Sequence, residues 1–292
     1  MPCIKVVTDG ACDLPVRLLV EHNVDVVPVE LHFGDDGPGG ILGITSEEFW
    51  CRVRTDAAVP TTSAPSPGAF ARAFLRARDQ GFAGVCCVTA SSTLAANFQS
   101  ASEAAGEVQG DIAVRVVDSR RATLAEGLVV MSGVEAVEAG LGLDEVYETV
   151  TRLAATFEIL VALDTLDFIR RSNRIGASQA LFESLFAIKP VLTLRDGTVE
   201  NESHQRTRAL SLRYLADSVA AALPIRRLAV AHADARDIDA FLAMLRPVFS
   251  ADRTIVNCMG PALGSHIGPG AIAVCFQRLQ HDFHTEELFA KD

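Results

Sequence analysis

The stretch IKVVTDGACDLP, residues 4–15, carries the pattern on which the fold is read. Its apolar opening is the length of a single buried strand, and Thr8, Asp9 and Gly10 follow at once as a polar turn at the strand's carboxyl end. Short apolar runs recur at VDVVPVEL, GVCCVTA, AVRVVDS, EILVALD, KPVLTL, RRLAVAHA and AIAVCF. Segments of helical period separate several of them: PGAFARAFLRARDQ, TLAEGLVVMSGVEAVEAG, DEVYETVTRLAATF, QALFESLFAI and DIDAFLAMLRPVF. Strands alternating with helices specify α/β architecture with largely parallel sheets. At 292 residues the chain is long for one core, so two α/β domains are expected. The boundary is placed just before EILVALD, giving residues 1–157 and 158–292.

Hydrophobic residues make up 49% and charged residues 22%, enough apolar material for a sizeable core. The formal charge of −11, with no compensating basic block, argues against nucleic acid or an anionic membrane surface as partner. Seven cysteines are scattered without a C-x-x-C pair, which suits reduced, buried thiols and a cytoplasmic location. Neither a signal peptide nor a membrane helix is expected: polar residues arrive by Asp9, and glycines and prolines interrupt the charge-free run 254–277.

In open α/β sheets, ligands bind beyond the carboxyl ends of the strands. Here those ends carry Thr8-Asp9, Thr89-Ala90-Ser91-Ser92, Asp118-Ser119 and Asp164-Thr165. The run DAAVPTTSAPSPGAF, residues 56–70, reads by composition as a surface linker entering a helix near Pro67, and it adds Thr62 and Ser63. GPALGSHIGPGAIAV, residues 260–274, sets His266 among glycines and prolines and reads as a built loop. Hydroxyls near backbone N–H groups, one histidine, and Arg174 in RRSNRIGAS suit a carboxylate or phosphate, provided they converge.

No P-loop, dinucleotide fingerprint or G-x-S-x-G elbow is present, and Ser178 in GASQA reads as a helix cap. HDFH at 281–284 has metal-like spacing, but two histidines in a polar tail read as solvated residues. A serine hydrolase would need Ser92, His266 and Asp118 to meet in space, and a general small-anion module would need no lipid at all.

These stretches together resemble the DegV family of fatty-acid-binding proteins over nearly the whole chain. VVTDGACDLP resembles the family's TDS-x-x-DLP opening, VPVELHF and ITSEEFW its second segment, and TTSAPSPGAF its TSQPSP stretch. TASSTLAANFQSA is similar to SS-x-LSGTYQSA, VVDSRRAT to the DS-containing strand end, LDFIRRSNRIGAS…AIKPVLTLRDGTVE to L-x-x-GGRI…IKP-x-L…G, and GPALGSHIGPGA to GTHTGPGA. The resemblance implies two α/β domains and an apolar tunnel for a long-chain fatty acid, its polar end near the domain interface. It implies a carrier that performs no catalysis, takes no cofactor or metal, and offers the carboxylate to a separate ATP-dependent fatty acid kinase making the acyl phosphate. It carries the carboxylate ligands onto Thr62, Ser92 and His266, with Ser63 and Ser91 beside them, and places Arg174 at the site's mouth. Phe74, Phe98, Phe182 and Phe186 are offered as tunnel lining, with plain core packing as their other role. The chain departs from the pattern at Gly10, at Ala95-Ala96-Asn97, at Ser172-Asn173, and at Ser265 and Ile267.

Overall fold

The computed structural model describes residues 4–34, 40–55, 59–172 and 188–279. Its first part runs β1 (Ile4–Asp9), α1 (Val16–Glu21), β2 (Asp25–Val27), β3 (Glu30–Phe33), α2 (Ser46–Thr55), β4 (Pro60–Ser63), α3 (Pro67–Asp79), β5 (Gly84–Thr89), α4 (Asn97–Glu107), β6 (Ala113–Asp118) and α5 (Thr123–Glu138). It continues through α6 (Leu143–Ala154), β7 (Phe157–Ala162), α7 (Asp167–Arg171), β8 (Lys189–Arg195), β9 (Thr198–Gln205), α8 (Arg208–Ala221), β10 (Ile225–His232), α9 (Ile238–Leu245), β11 (Thr254–Cys258), α10 (Pro261–Ile267) and β12 (Ile272–Arg278).

Two main sheets result. The first, in the order β2-β1-β5-β6, is parallel throughout, as strand–helix alternation requires. The second, β11-β10-β12-β7-β8-β9, belongs to the same α/β class but departs from parallel pairing. Only β10 and β11 run parallel; β12 returns between β10 and β7, and β8 folds back on β9. The cause of the β8–β9 hairpin is local, since Asp196 and Gly197 both have positive φ (48° and 84°), the geometry of a two-residue turn.

The apolar patterns show how the layers stack. In β7 and β12 alternate residues face opposite ways: Ile159, Val161, Ala273 and Cys275 join one core, while Leu160, Ala162, Val274 and Phe276 join another against α8 and α9. The first sheet divides likewise, Val7, Val85 and Cys87 packing on α3 and α4 and Val6, Cys86 and Val88 turning inward. Helix α5 lies between the sheets and touches β1 and β5 on one side and β7, β10 and β12 on the other. Twelve of its sixteen residues are buried, which explains why it reads as apolar all round and not as a striped surface helix.

Two segments differ from their sequence reading. The region whose composition reads as a linker contributes β4, paired antiparallel to β3 with Leu31 opposite Thr62, and then Ser66, which caps α3 by accepting from Ala69 N at 3.3 Å. The glycine- and proline-rich segment around His266 is helical, not a loop. Pro261 occupies the first turn of α10, where its missing N–H is harmless, and Gly268 (φ 73°) ends the helix. The same residue types that suggest a loop therefore bracket a short helix.

Helix α10 is seated on α2 at Gly264, where an added Cβ would lie 2.7 Å from both the Phe49 and Trp50 rings. Those rings are 0% and 1% exposed and cannot move aside. Gly264→Ala should therefore destabilise the protein by about 1–3 kcal/mol, read as a lower urea midpoint at unchanged m-value.

Candidate ligand-binding site

Helix α10 carries His266 inward to β4, where its Nε2 lies 3.1 Å from Thr62 Oγ1. Both residues border a cavity whose lining includes Ala11, Ser63, Ala90, Ala95 and Asn97. A second cavity adjoins it and shares Leu94, Ala122, Leu263 and His266. Its remaining lining is Ile159, Val161, Ile169, Leu192, Thr193, Leu194, Val199 and Ile267, an almost wholly apolar wall. The compartment that carries the polar side chains of Thr62, Ser63, Asn97 and His266 thus lies beside a greasy one, and His266 lines both.

The other expected ligands occupy distinct positions. Ser63 is exposed on the rim of the polar cavity. Ser91, fully buried at the end of β5, donates its hydroxyl to the Gly197 carbonyl in the β8–β9 turn at 3.0 Å. Ser92 is exposed and donates to Asp118 Oδ2 at 2.6 Å, while Asp118 Oδ1 accepts the Ser92 N–H at 3.2 Å. Phe74 is fully buried in the outer core with Phe70, and Phe98 borders a separate depression with Asp118, Arg121 and Tyr147. Arg174, Ser178, Phe182, Phe186 and the HDFH segment lie outside the described residues.

Below the polar cavity lies a group of acids that the sequence reading did not use. Asp9 Oδ1 accepts from Ala11 N at 2.8 Å and Oδ2 from Ala90 N at 2.9 Å, so one buried carboxyl holds two residues of the cavity lining. Burial pushes its pKa up, while hydrogen bonds from Ala90, Asn97 and Ala11 oppose the rise. Asp13 accepts from Thr123 Oγ1 at 2.6 Å and from Gly260 N, at the head of α10, at 2.8 Å. Burial raises the Asp13 carboxyl to about 7. The polar strand end Thr8-Asp9-Gly10 could have pointed to Asp9, since a carboxyl at the close of a buried strand must find donors. The apolar wall was legible only as short apolar runs at EILVALD and KPVLTL, without a partner to say which face would be lined.

Among the described residues no group of three or more His, Cys, Asp or Glu could hold a metal, and no helix is long and apolar enough to cross a membrane. Cys12, Cys86, Cys87 and Cys275 are buried free thiols, Cys258 is half-buried, and Cys51 is exposed.

An α/β protein with an apolar cavity beside one that carries a few convergent polar groups has the make-up of a small-molecule-binding protein. The chain belongs to the DegV family: the model of that family, described as uncharacterised proteins, matches residues 3–279. A DegV domain-containing protein of Streptomyces coelicolor is 32% identical over 276 residues, covering 93% of this chain and 97% of the relative. Among solved structures, a Thermus thermophilus DegV family protein described by its fatty acid binding has a TM-score of 0.82 at 32% identity, covering 94% of this chain and 99% of that one. A stearic-acid-binding protein of Eubacterium ventriosum shares the fold, with a TM-score of 0.82 at 24% identity over 94% of this chain and 98% of its own.

Because Asp13 keeps a proton in the native state that the unfolded chain has already released, it makes stability fall as pH rises from about 4 to about 7. Urea titrations across that range should show a falling midpoint, with a shallower fall in Asp13→Asn.

Proposed function

We propose that this protein binds a long-chain fatty acid with its carboxylate in the polar cavity and its tail in the apolar one. The observation that carries the reading is the Thr62–His266 pair, 3.1 Å apart at the junction of the two cavities. A tail of about fourteen methylenes offers roughly 11 kcal/mol of gross driving force at about 0.8 kcal/mol per buried CH₂. Ordering the tail and losing ligand freedom consume several kcal/mol of it, which still leaves tight binding without catalytic machinery. The head needs replacement hydrogen bonds on leaving water; Thr62 can donate one, and His266 a charge-assisted one when protonated. The Ser63 hydroxyl on the rim is a further donor, whereas Ser91 and Ser92, which the resemblance also assigns to the head group, would have to release their bonds to Gly197 and Asp118 to join it.

The family resemblance extends the reading: the bound acid is handed to a separate ATP-dependent fatty acid kinase, which forms the acyl phosphate, while this chain acts as carrier. Phosphoryl transfer demands an in-line approach to the carboxylate oxygen, so the head belongs near the surface and the tail inward. Arg174 is proposed for kinase engagement at the mouth. The competing serine hydrolase has less support. Ser92 gives its single hydroxyl proton to Asp118, whereas a hydrolase needs a nucleophile paired with its histidine base.

Denaturing mass spectrometry of the purified protein should release acyl chains. Thr62→Val and His266→Ala should each weaken fatty-acid binding by about ten- to a hundredfold in a folded protein, the loss of one hydrogen bond to a charged group. Arg174→Ala should leave that affinity unchanged but reduce acyl phosphate formation with added kinase and ATP. Esterase turnover abolished by Ser92→Ala would instead favour the hydrolase.

A further inference from the structure

Beneath the polar cavity, Glu126 in the first turns of α5 is fully buried. Its Oε1 accepts from Thr8 Oγ1 at 3.2 Å, whereas Oε2 is a buried oxygen with no donor directed at it. The Asp9 and Glu126 carboxyls are within hydrogen-bonding reach of each other. Two ionised carboxylates offer each other only acceptors, which would leave Oε2 unsatisfied and two negative charges side by side in a dry interior. One proton between them removes both penalties.

We propose that Glu126 is protonated at Oε2 and donates to Asp9, so that the pair shares one proton and Asp9 remains a single, fully hydrogen-bonded anion. Asp9 is then a positioning residue for the cavity: it holds the Ala11 and Ala90 amides and the Asn97 side chain, all three lining the compartment assigned to the ligand head. Its role in ligand binding rests on the fatty-acid reading above; the shared proton does not.

The surroundings favour the neutral acid. The groups acting on Glu126 are Asp9 and Asp13 from the end of β1 and the turn after it and Asp118 from the end of β6, all acidic, with the Cys12 and Cys87 thiols also close. Burial and the negative charge of Asp9 both push Glu126 well above the usual carboxylate range. The hydrogen bond from Thr8 opposes the shift but does not outweigh them.

Infrared spectroscopy in heavy water tests the proton directly. At about pH 8.5, above the value near 7 of Asp13, wild-type protein should retain the C=O stretch of a protonated, buried carboxylic acid, and Glu126→Gln should lack it. An amide at this position reproduces the neutral acid, donating to Asp9 and accepting from Thr8. E126Q should therefore fold and bind fatty acid within about threefold of wild type at neutral pH, a change smaller than loss of one hydrogen bond. Because the raised pKa makes native Glu126 hold a proton that the unfolded chain releases, wild-type stability falls as pH rises. The folding equilibrium of wild type relative to E126Q should drop by up to about tenfold per pH unit above about pH 5. A wild-type spectrum without the acid band overturns the proposal whatever the variant does, and so does an E126Q chain that cannot fold. If wild type binds no fatty acid at any pH, the carrier reading fails, while the infrared and stability measurements still decide the proton.

Discussion

A helix buried between two sheets leaves very little freedom to anything around it, and α5 is that helix. Its residues must satisfy β1 and β5 on one side and β7, β10 and β12 on the other, so no broad polar face is available to it. The two sheets are thereby locked at a fixed separation, and the cavities form where the strand ends and α10 meet beside the helix's amino end. Ala122, just before α5, lines both compartments, while Thr123 fixes Asp13 and Glu126 reaches Asp9. The helix that fills the space between the sheets thus also holds in place the acids that organise the floor of the site.

The electrostatics of the polar cavity follow from this placement. Among the described residues no lysine or arginine lines it, and His266 is the one lining side chain there that can become a cation. The acids beneath it are turned away into hydrogen bonds from backbone amides and hydroxyls, which confines their charge below the floor. A head group bound as proposed would meet neutral donors and one titratable ring among those residues. Such a site recognises shape and hydrogen bonding more than charge alone.

Much of the fold is written in short-range pattern. The strand β1 and its polar turn, the parallel first sheet and the start of α3 near Pro67 all follow from runs and punctuation that a local reading can resolve. The second sheet is less legible because antiparallel return is decided by which strands become neighbours, although Asp196-Gly197 is a local hairpin signal. Around His266, glycine and proline read as breakers yet act as terminators, an ambiguity that only the intervening residues' contacts resolve. At the site, the residue types of Thr62 and His266 suit an anion, and their meeting requires β4 and α10 to be brought together across 204 positions of sequence. Asp9 and Glu126 come together in the same way, across the first sheet and α5. Their energetics depend on the burial of both, which sequence does not display.

The packing of α10 on α2 has one more consequence. Trp50 is the sole tryptophan of the chain, its indole N–H donates to the Met259 carbonyl at 2.8 Å, and its ring backs Gly264, two residues before His266. The molecule therefore contains a single indole fluorophore, shielded from water and resting against the very helix that carries the junction histidine. A shift of that helix on ligand uptake would therefore reach one indole alone, with no dye attached and no second indole to dilute the signal.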